Sequence, residues 1–142
     1  MHKLNIKTHS GVEFQEITGK IREIVKESGV ESGVCVVYVP HTTAGIMINE
    51  HADPSVVEDI AAQLEVMAPL RGKYRHAEGN SAAHIKTTLI GSSVTVIIEY
   101  GDIALGTWQG IFFGEFDGPR NRNVLVKIIA DKPENLNTGG VR

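Results

Sequence analysis

Val34-Cys-Val-Val-Tyr-Val39 is the stretch that decides the fold, because nearly every residue in it is β-branched or aromatic. Such residues favour extended backbone, and an unbroken run of them predicts a strand that is covered on both faces. Pro40 ends the strand, since proline cannot donate a ladder hydrogen bond. His41 is thereby placed at the tip of a buried strand.

The segments before this strand predict an opening hairpin and a helix. Leu4–Thr8 alternates apolar and polar residues, and Val12–Ile17 resumes that pattern after a turn at Ser10-Gly11. Alternation is typical of a half-buried strand. Thr18–Ser28 has the apolar spacing of a helix, with Thr18 suited to cap its start and Gly29 suited to stop it.

The segments after it predict another strand, Gly45–Asn49, and a helix that Asp53-Pro54 opens and Pro69 closes. The apolar stripe of that helix consists of Val57, Ile60, Ala61, Leu64 and Ala68. A third, short helix begins at Asn80 or Ser81 and ends at Gly91. Its residues expected in the core are Ala82, Ala83, Ile85 and Leu89.

The last part of the chain predicts three strands: Val94 to Glu99, about Ile103 to Phe116, and Val124 to Ala130. Tight turns join most strands, so the pattern favours the α+β class: an antiparallel sheet pair with two or three helices outside. We expect one domain over residues 1–142, with a frayed tail over 131–142.

Composition limits the possible partners. The net charge of −3 argues against charge-driven binding to nucleic acid or to acidic membranes. Cys35, the single cysteine, excludes an internal disulfide and is expected to be a buried apolar residue, with a catalytic thiolate as the alternative. The sequence shows no signal peptide and no membrane-spanning run, which predicts a soluble, cytoplasmic protein.

Three of the six histidines are candidate metal ligands. His41 follows the buried strand, and the other two bound the stretch His76-Ala-Glu-Gly-Asn-Ser-Ala-Ala-His84. Three neutral imidazoles can bind zinc or a similar ion and leave a fourth position open for water or substrate. No known metal motif has this spacing, so the alternative is that each histidine is a hydrogen-bonded surface or core residue.

Glu50 and Glu115 are the candidate catalytic carboxylates. Glu50 has no evident structural role. Glu115 lies near the end of an apolar strand, where a charge is costly unless it is paired, metal-bound or open to solvent. Glu115 is suited to orient a metal-bound histidine or to act as a general base. Asp53 and Asp117 have sufficient roles as a helix cap and a turn residue.

Several polar segments lie between the apolar runs, and we call them the polar islands. Besides the histidines and carboxylates, they contain cations and one aromatic residue. The cations near the histidines and the Asp117 turn are Arg71, Lys73, Arg75, Lys86, Arg120 and Arg122. They predict either contacts to a phosphate or pyrophosphate group or a solvated rim. Gly106-Thr-Trp-Gln-Gly110 contains the only tryptophan, Trp108, which either packs in the core or lines a pocket for a flat heterocycle. We expect all these islands to converge on one site.

At these islands the sequence resembles the YjbQ family, small bacterial and archaeal proteins described as secondary thiamine-phosphate synthases. The resemblance covers about residues 4 to 130, in family order. Its matching pieces are His41-Thr-Thr-Ala-Gly, Asn49-Glu50, Asp53-Pro54, His76…Glu78-Gly-Asn…His84-Ile-Lys86, Gly106-Thr-Trp-Gln-Gly110 and Gly114-Glu-Phe-Asp-Gly118.

The resemblance implies a jelly-roll-like β-sandwich with flanking helices that assembles into a homotrimer. It implies a divalent metal, zinc first, on His41, His76 and His84. The implied reaction joins an aminopyrimidine diphosphate to a thiazole phosphate, giving thiamine phosphate and pyrophosphate. The residues expected to contact this phosphorylated small-molecule substrate are Arg75, Lys86, Trp108, Gln109 and Arg120.

Two other functions fit the same residues. One is a metal-dependent hydrolase of a phosphorylated or acyl substrate, because imidazoles, a metal-bound water and a carboxylate suffice for hydrolysis. The other is a non-catalytic trimer that binds a metal or a ligand.

Overall fold

The structure is a computed structural model that describes residues 1–132 of the chain. The tail predicted to fray lies outside the described residues from position 133 onward. The described part forms eight strands and three helices. In chain order they are β1 His2–Lys7, β2 Glu13–Glu16, α1 Thr18–Ser28, β3 Gly33–Tyr38, β4 Ala44–Glu50, α2 Pro54–Met67, α3 Ser81–Ile90, β5 Ser93–Glu99, β6 Asp102–Ile103, β7 Gln109–Glu115 and β8 Asn121–Ala130.

The strands form two antiparallel sheets. The larger sheet has the order β1-β8-β3-β5-β6, and the smaller has the order β2-β7-β4. Both sheets contribute to one apolar core, which includes Val37 and Val126 from the larger sheet and Ile46 and Phe113 from the smaller. The predicted α+β class with antiparallel strands is therefore confirmed.

The prediction that the first two strands form a hairpin is wrong. β1 pairs with β8 and β2 pairs with β7, so the two strands belong to different sheets. The Ser10-Gly11 segment carries the chain from one sheet to the other. Alternation predicted that each strand has one buried face, but it carries no information about which strand is the neighbour.

β3 is the central strand of the larger sheet, between β8 and β5. Cys35 and Val37 are completely buried on its inner face, whereas Val34 and Val36 are half-buried. The prediction that both faces are covered is thus correct only for the inner face. Burial also raises the pKa of the Cys35 thiol to about 11, which keeps it protonated at neutral pH.

The start of α1 differs from the prediction. Ile17 is the N-cap, and Thr18 lies in the first turn. The Thr18 hydroxyl donates to Glu16 at 2.8 Å and accepts from the Ile111 N–H at 2.9 Å, so it joins the helix to β7. Gly29 ends α1 with a left-handed φ of 73°, as predicted.

α2 begins as predicted and is buried less than predicted. Asp53 accepts a hydrogen bond from the Ser55 N–H at 2.9 Å, and Pro54 occupies the first turn. Within the helix only Leu64 is buried; it packs on Ala83 and Phe116. α2 and α3 therefore cover the outer face of the smaller sheet, whereas α1 belongs to the main core.

α3 carries the candidate site and is turned differently from the prediction. Ile85 and Leu89 are exposed, and Lys86 and Thr87 are buried in their place. The Lys86 ammonium donates to Glu65 on α2, and its long aliphatic stem is what the helix interface covers.

A glycine fixes α3 against β4. The Ile46 N–H donates to the Gly91 carbonyl at 3.0 Å, and a Cβ at Gly45 would lie 2.7 Å from that oxygen. The glycine of His41-Thr-Thr-Ala-Gly45 is thus required for the close approach that positions the helix.

No helix in the described part of the chain is long and apolar enough to cross a membrane.

Candidate functional site

A cavity of about 670 Å³ lies between three chain connections. They are the β3–β4 connection, the β7–β8 connection, and the segment from the end of α2 into α3. Its lining residues are Tyr38, Pro40, His41, Thr42, Thr43, His76, Glu78, Asn80, His84, Asp117, Arg120 and Arg122. The volume is typical of a small-molecule site. The three predicted histidines therefore do share one cavity, which we call the histidine pocket.

His41 is held as a neutral imidazole. Its Nε2 accepts a hydrogen bond from the Asn123 N–H at 2.9 Å, so the ring proton belongs on Nδ1. Burial, and next the positive charge of Arg122, lower the pKa of His41 below its ordinary value; the Glu115 carboxylate opposes this in part. His41 can thus offer the pocket an N–H donor.

His76 and His84 form a pair. Their rings meet edge to face, with centroids 5.3 Å apart and planes at 83°. The Glu78 carboxylate lies 4.0 Å from Nε2 of His76. Both imidazole rings are free of hydrogen bonds to described residues, so their nitrogens remain available to a ligand.

The predicted metal site needs three lone pairs in one place. A neutral imidazole has one, and that of His41 is already used by Asn123. Among residues 1–132, no group of three or more His, Cys, Asp or Glu side chains is arranged to hold a metal. Zinc takes four donors, and one chain offers two free imidazoles. As arranged here, the residues of a single chain do not fit the three-histidine site.

Glu115 anchors the floor of the pocket. It is completely buried and accepts from Arg122 at 2.9 and 2.6 Å, from the Thr8 hydroxyl at 2.8 Å and from the Asp117 N–H at 3.1 Å. Arg122 also donates to the Thr43 hydroxyl at 2.7 Å. With both oxygens occupied, Glu115 holds Arg122 at the floor and is not placed as a general base.

Sequence reasoning missed Thr8 and Thr43, which complete this network. Thr8 is 107 positions from Glu115, and its strand had been assigned a different neighbour. The one available signal was Glu115 itself, because a carboxylate in an apolar strand requires buried partners.

Arg120 projects at the rim on a fixed support. Its Nη2 lies 3.0 Å from the Asp117 carboxylate, and its Nε donates to the Asp117 carbonyl at 2.7 Å. The Asn80 amide donates to the same carboxylate at 2.9 Å, which ties the β7–β8 connection to the start of α3. Arg120 therefore lies at the rim of the pocket in an orientation set by Asp117.

Two other predicted contacts lie near the pocket but outside it. Arg75 lines an adjoining groove of about 560 Å³ that shares His76 and His84 with the pocket. Lys86 is buried, is paired with Glu65 and lines a separate cavity of about 320 Å³. Its ion pair gives Lys86 a structural role between α2 and α3.

The remaining predicted residues lie elsewhere. Glu50 pairs with Gln109 at the end of β4 and β7 that is opposite to Glu115. Trp108 precedes that end and is 63% exposed, so it belongs neither to the core nor to the pocket of its own chain. The expected convergence of all islands therefore fails within one chain.

Acidification is expected to weaken the fold through His41. Because its pKa is lowered in the folded state, the unfolded chain binds more protons below the ordinary histidine value of about 6.5, and stability falls there. His41→Gln keeps an acceptor for the Asn123 N–H and should lose this part of the pH dependence. Urea titrations across this range measure it, with His2→Gln as the control. A variant that is as pH-dependent as the native protein would contradict the assignment.

Fold and site together define a small antiparallel α+β protein with an imidazole-lined pocket of small-molecule size that also contains two ion-paired arginines. A family model described as "UPF0047 protein YjbQ-like" matches residues 2–131. The chain belongs to this YjbQ/UPF0047 family.

Relatives with similar sequences come from archaea and bacteria. UPF0047 protein MJ1081 of Methanocaldococcus jannaschii is 54% identical over 93% of this chain and 96% of its own length. UPF0047 protein YugU of Bacillus subtilis is 46% identical over 89% of this chain and 96% of its own length.

Solved structures share the fold. A Clostridium acetobutylicum protein described as an uncharacterized conserved member of the yjbq/upf0047 family is 54% identical, with a TM-score of 0.89 over 91% of this chain and 100% of that one. A YbjQ-like protein of unknown function from Sulfolobus solfataricus is 32% identical, with a TM-score of 0.88 over 92% of this chain and 96% of that one.

Proposed function

We propose that the histidine pocket binds a phosphorylated small molecule and gives the protein thiamine-phosphate-synthase-like activity. The observation that carries the proposal is that three imidazoles and the Arg120 guanidinium line one cavity of about 670 Å³. The YjbQ resemblance supplies the candidate reaction, in which an aminopyrimidine diphosphate and a thiazole phosphate yield thiamine phosphate and pyrophosphate.

This reaction makes modest demands on the protein. The bond between the pyrimidine methylene carbon and the diphosphate oxygen breaks, and the thiazole nitrogen forms a new bond to that carbon with its own lone pair. No proton has to leave the nucleophile, so a free carboxylate base is not required. The engaged state of Glu115 is therefore compatible with this transfer.

The pocket residues would act on the leaving group. Arg120, oriented by Asp117, would hold departing pyrophosphate at the rim. Arg122, which is paired with Glu115, would support the floor of the pocket. The His41 Nδ1–H would donate to a phosphate oxygen. His76 and His84 would donate a proton or a hydrogen bond to the same group.

The test is direct synthesis with a matched arginine control. Native protein is incubated with both precursors, and thiamine phosphate and pyrophosphate are quantified. Arg120→Gln should lose most of the product. Arg22→Gln should not, because Arg22 on α1 forms an analogous pair with Asp102 on β6 and neither residue lines the pocket.

Two outcomes would overturn the synthase proposal. They are no product beyond a heat-denatured control, and release of pyrophosphate from the pyrimidine substrate alone, which would favour the hydrolase. Full activity in Arg120→Gln would overturn the assignment of the leaving-group contact to Arg120.

Zinc, the metal that the resemblance implies, is tested separately. Elemental analysis of the purified native protein is compared with His76→Ala and His84→Ala. Zinc that both substitutions remove would support a metal at this pair. Zinc content that neither substitution changes would refute it.

A further inference from the structure

The smaller sheet separates the polar islands into two groups. Ala44 pairs with Glu115 beside the histidine pocket, and Glu50 pairs with Gln109 at the other end. At about 3.3 Å per residue, β4 places these ends roughly 20 Å apart. The Gly106–Gly110 loop therefore cannot reach the pocket of its own chain.

This loop presents Trp108 outward on a fixed support. The Gly106 N–H donates to the Gln109 side chain at 2.8 Å, and the Gln109 N–H donates back to the Gly106 carbonyl at 3.1 Å. The His51 N–H donates a hydrogen bond to the Trp108 carbonyl at 2.9 Å. An indole that is 63% exposed on so constrained a turn has the character of an interface anchor.

The charges of the two ends are complementary. The loop end of the smaller sheet carries the exposed or half-buried carboxylates Glu16, Glu50 and Asp53. At the pocket end, the adjoining groove is lined by the exposed cations Lys73 and Arg75 and by no carboxylate of the described residues. Opposite patches of this kind orient two surfaces toward each other.

The groove beside the pocket suits an aromatic ring. Tyr74 and Ile85 line it together with Arg75, and it opens directly onto His76 and His84. A tryptophan ring lying there would gain apolar contact and a guanidinium over its face. The groove and the loop thus match in polarity and charge.

We propose that a second copy of this chain completes the histidine pocket, with its Gly106–Gly110 loop in this groove and Trp108 against Tyr74, Arg75 and Ile85. The contact brings Glu50 and Gln109 of that copy to the imidazoles. The polar islands, which do not meet within one chain, would then meet at the contact between two chains. The inference rests on the proposed function and extends it, since the substrate site would be formed by residues of two chains.

Thiol cross-linking tests the contact without any activity measurement. Full-length protein carrying Lys73→Cys and Thr107→Cys is treated with a short bis-maleimide, and products are sized under denaturing conditions. Most chains should become linked to another chain. The control pairs Lys73→Cys with Tyr100→Cys, at a turn of the larger sheet that is 94% exposed; buried Cys35 stays unreactive in both.

The outcome separates the two proposals. Equal linking in both variants, linking absent from the Thr107 variant, or a monomer in light scattering would overturn the inference. Linked chains without thiamine phosphate synthesis would leave the inference standing and defeat the proposed function.

A mixed assembly gives a second readout once synthesis is observed. His84→Ala and Trp108→Ala chains, each weakened alone, are co-expressed and purified together. Some pockets then combine an intact His84 with an intact Trp108 from another copy, so activity should rise above that of either variant. If mixing yields no rise, the loop does not act between chains.

Discussion

Replacing Glu115 with alanine is expected to lower the free energy of unfolding by about 3–5 kcal/mol, the cost of leaving one member of a buried ion pair uncompensated. Arg122 would lose both carboxylate contacts while remaining 94% buried, because its side chain is only 6% exposed. Thr8 would lose its acceptor as well. Urea denaturation monitored by circular dichroism measures the change.

Two variants control this experiment. Glu27→Ala, on the exposed side of α1, should change stability by no more than about 0.5 kcal/mol. The double variant Glu115→Leu with Arg122→Met should recover much of the loss, because it removes the uncompensated charge. A Glu115→Ala protein as stable as Glu27→Ala would contradict the proposed anchor.

The same pair predicts the response to acid. Burial alone raises the pKa of Glu115, but hydrogen bonds from Arg122, Asp117 and Thr8 outweigh it and hold the pKa below the ordinary value of about 4.3. The ionised form therefore stabilises the fold above that value. This contribution is lost as the pH falls through the folded-state pKa.

Removing the His84 imidazole is expected to reduce kcat for thiamine phosphate formation about 10²- to 10⁴-fold, the usual contribution of a positioned acid–base group. His84 lines both the histidine pocket and the adjoining groove, so it lies where these two spaces meet. Steady-state kinetics of His84→Ala measure kcat and KM separately. His2→Ala, at the exposed end of β1 that is far from the pocket, is the control.

A loss confined to KM would show that His84 only binds the substrate. An unchanged kcat together with an unchanged KM would remove it from the site.

The local elements were predictable because their signals are local. Asp53-Pro54 indicates the start of α2, and Gly29 indicates the end of α1, because the conformational preferences of one or two residues decide each helix end. Strand partners were not predictable in this way. β1 finds β8 more than a hundred residues later, and alternation in Leu4–Thr8 says nothing about that choice.

The site was predictable in part for the same reason. His41, His76, His84 and Arg120 share a cavity, as the pattern of islands suggested. The orientation of α3 was not predictable, because Ile85 and Leu89 have the spacing of a buried face, whereas the structure exposes both and buries Lys86. Only its pairing with Glu65 on another helix reveals the actual orientation.

The pairing of β1 with β8 also governs how the protein is made on the ribosome. β8 lies between β1 and β3, so the larger sheet cannot be completed until about residue 130 has been synthesised. Until then β1 and one edge of β3 have no neighbouring strand, so their apolar residues stay exposed during elongation. The larger sheet is therefore expected to be completed late, after β8 has left the exit tunnel.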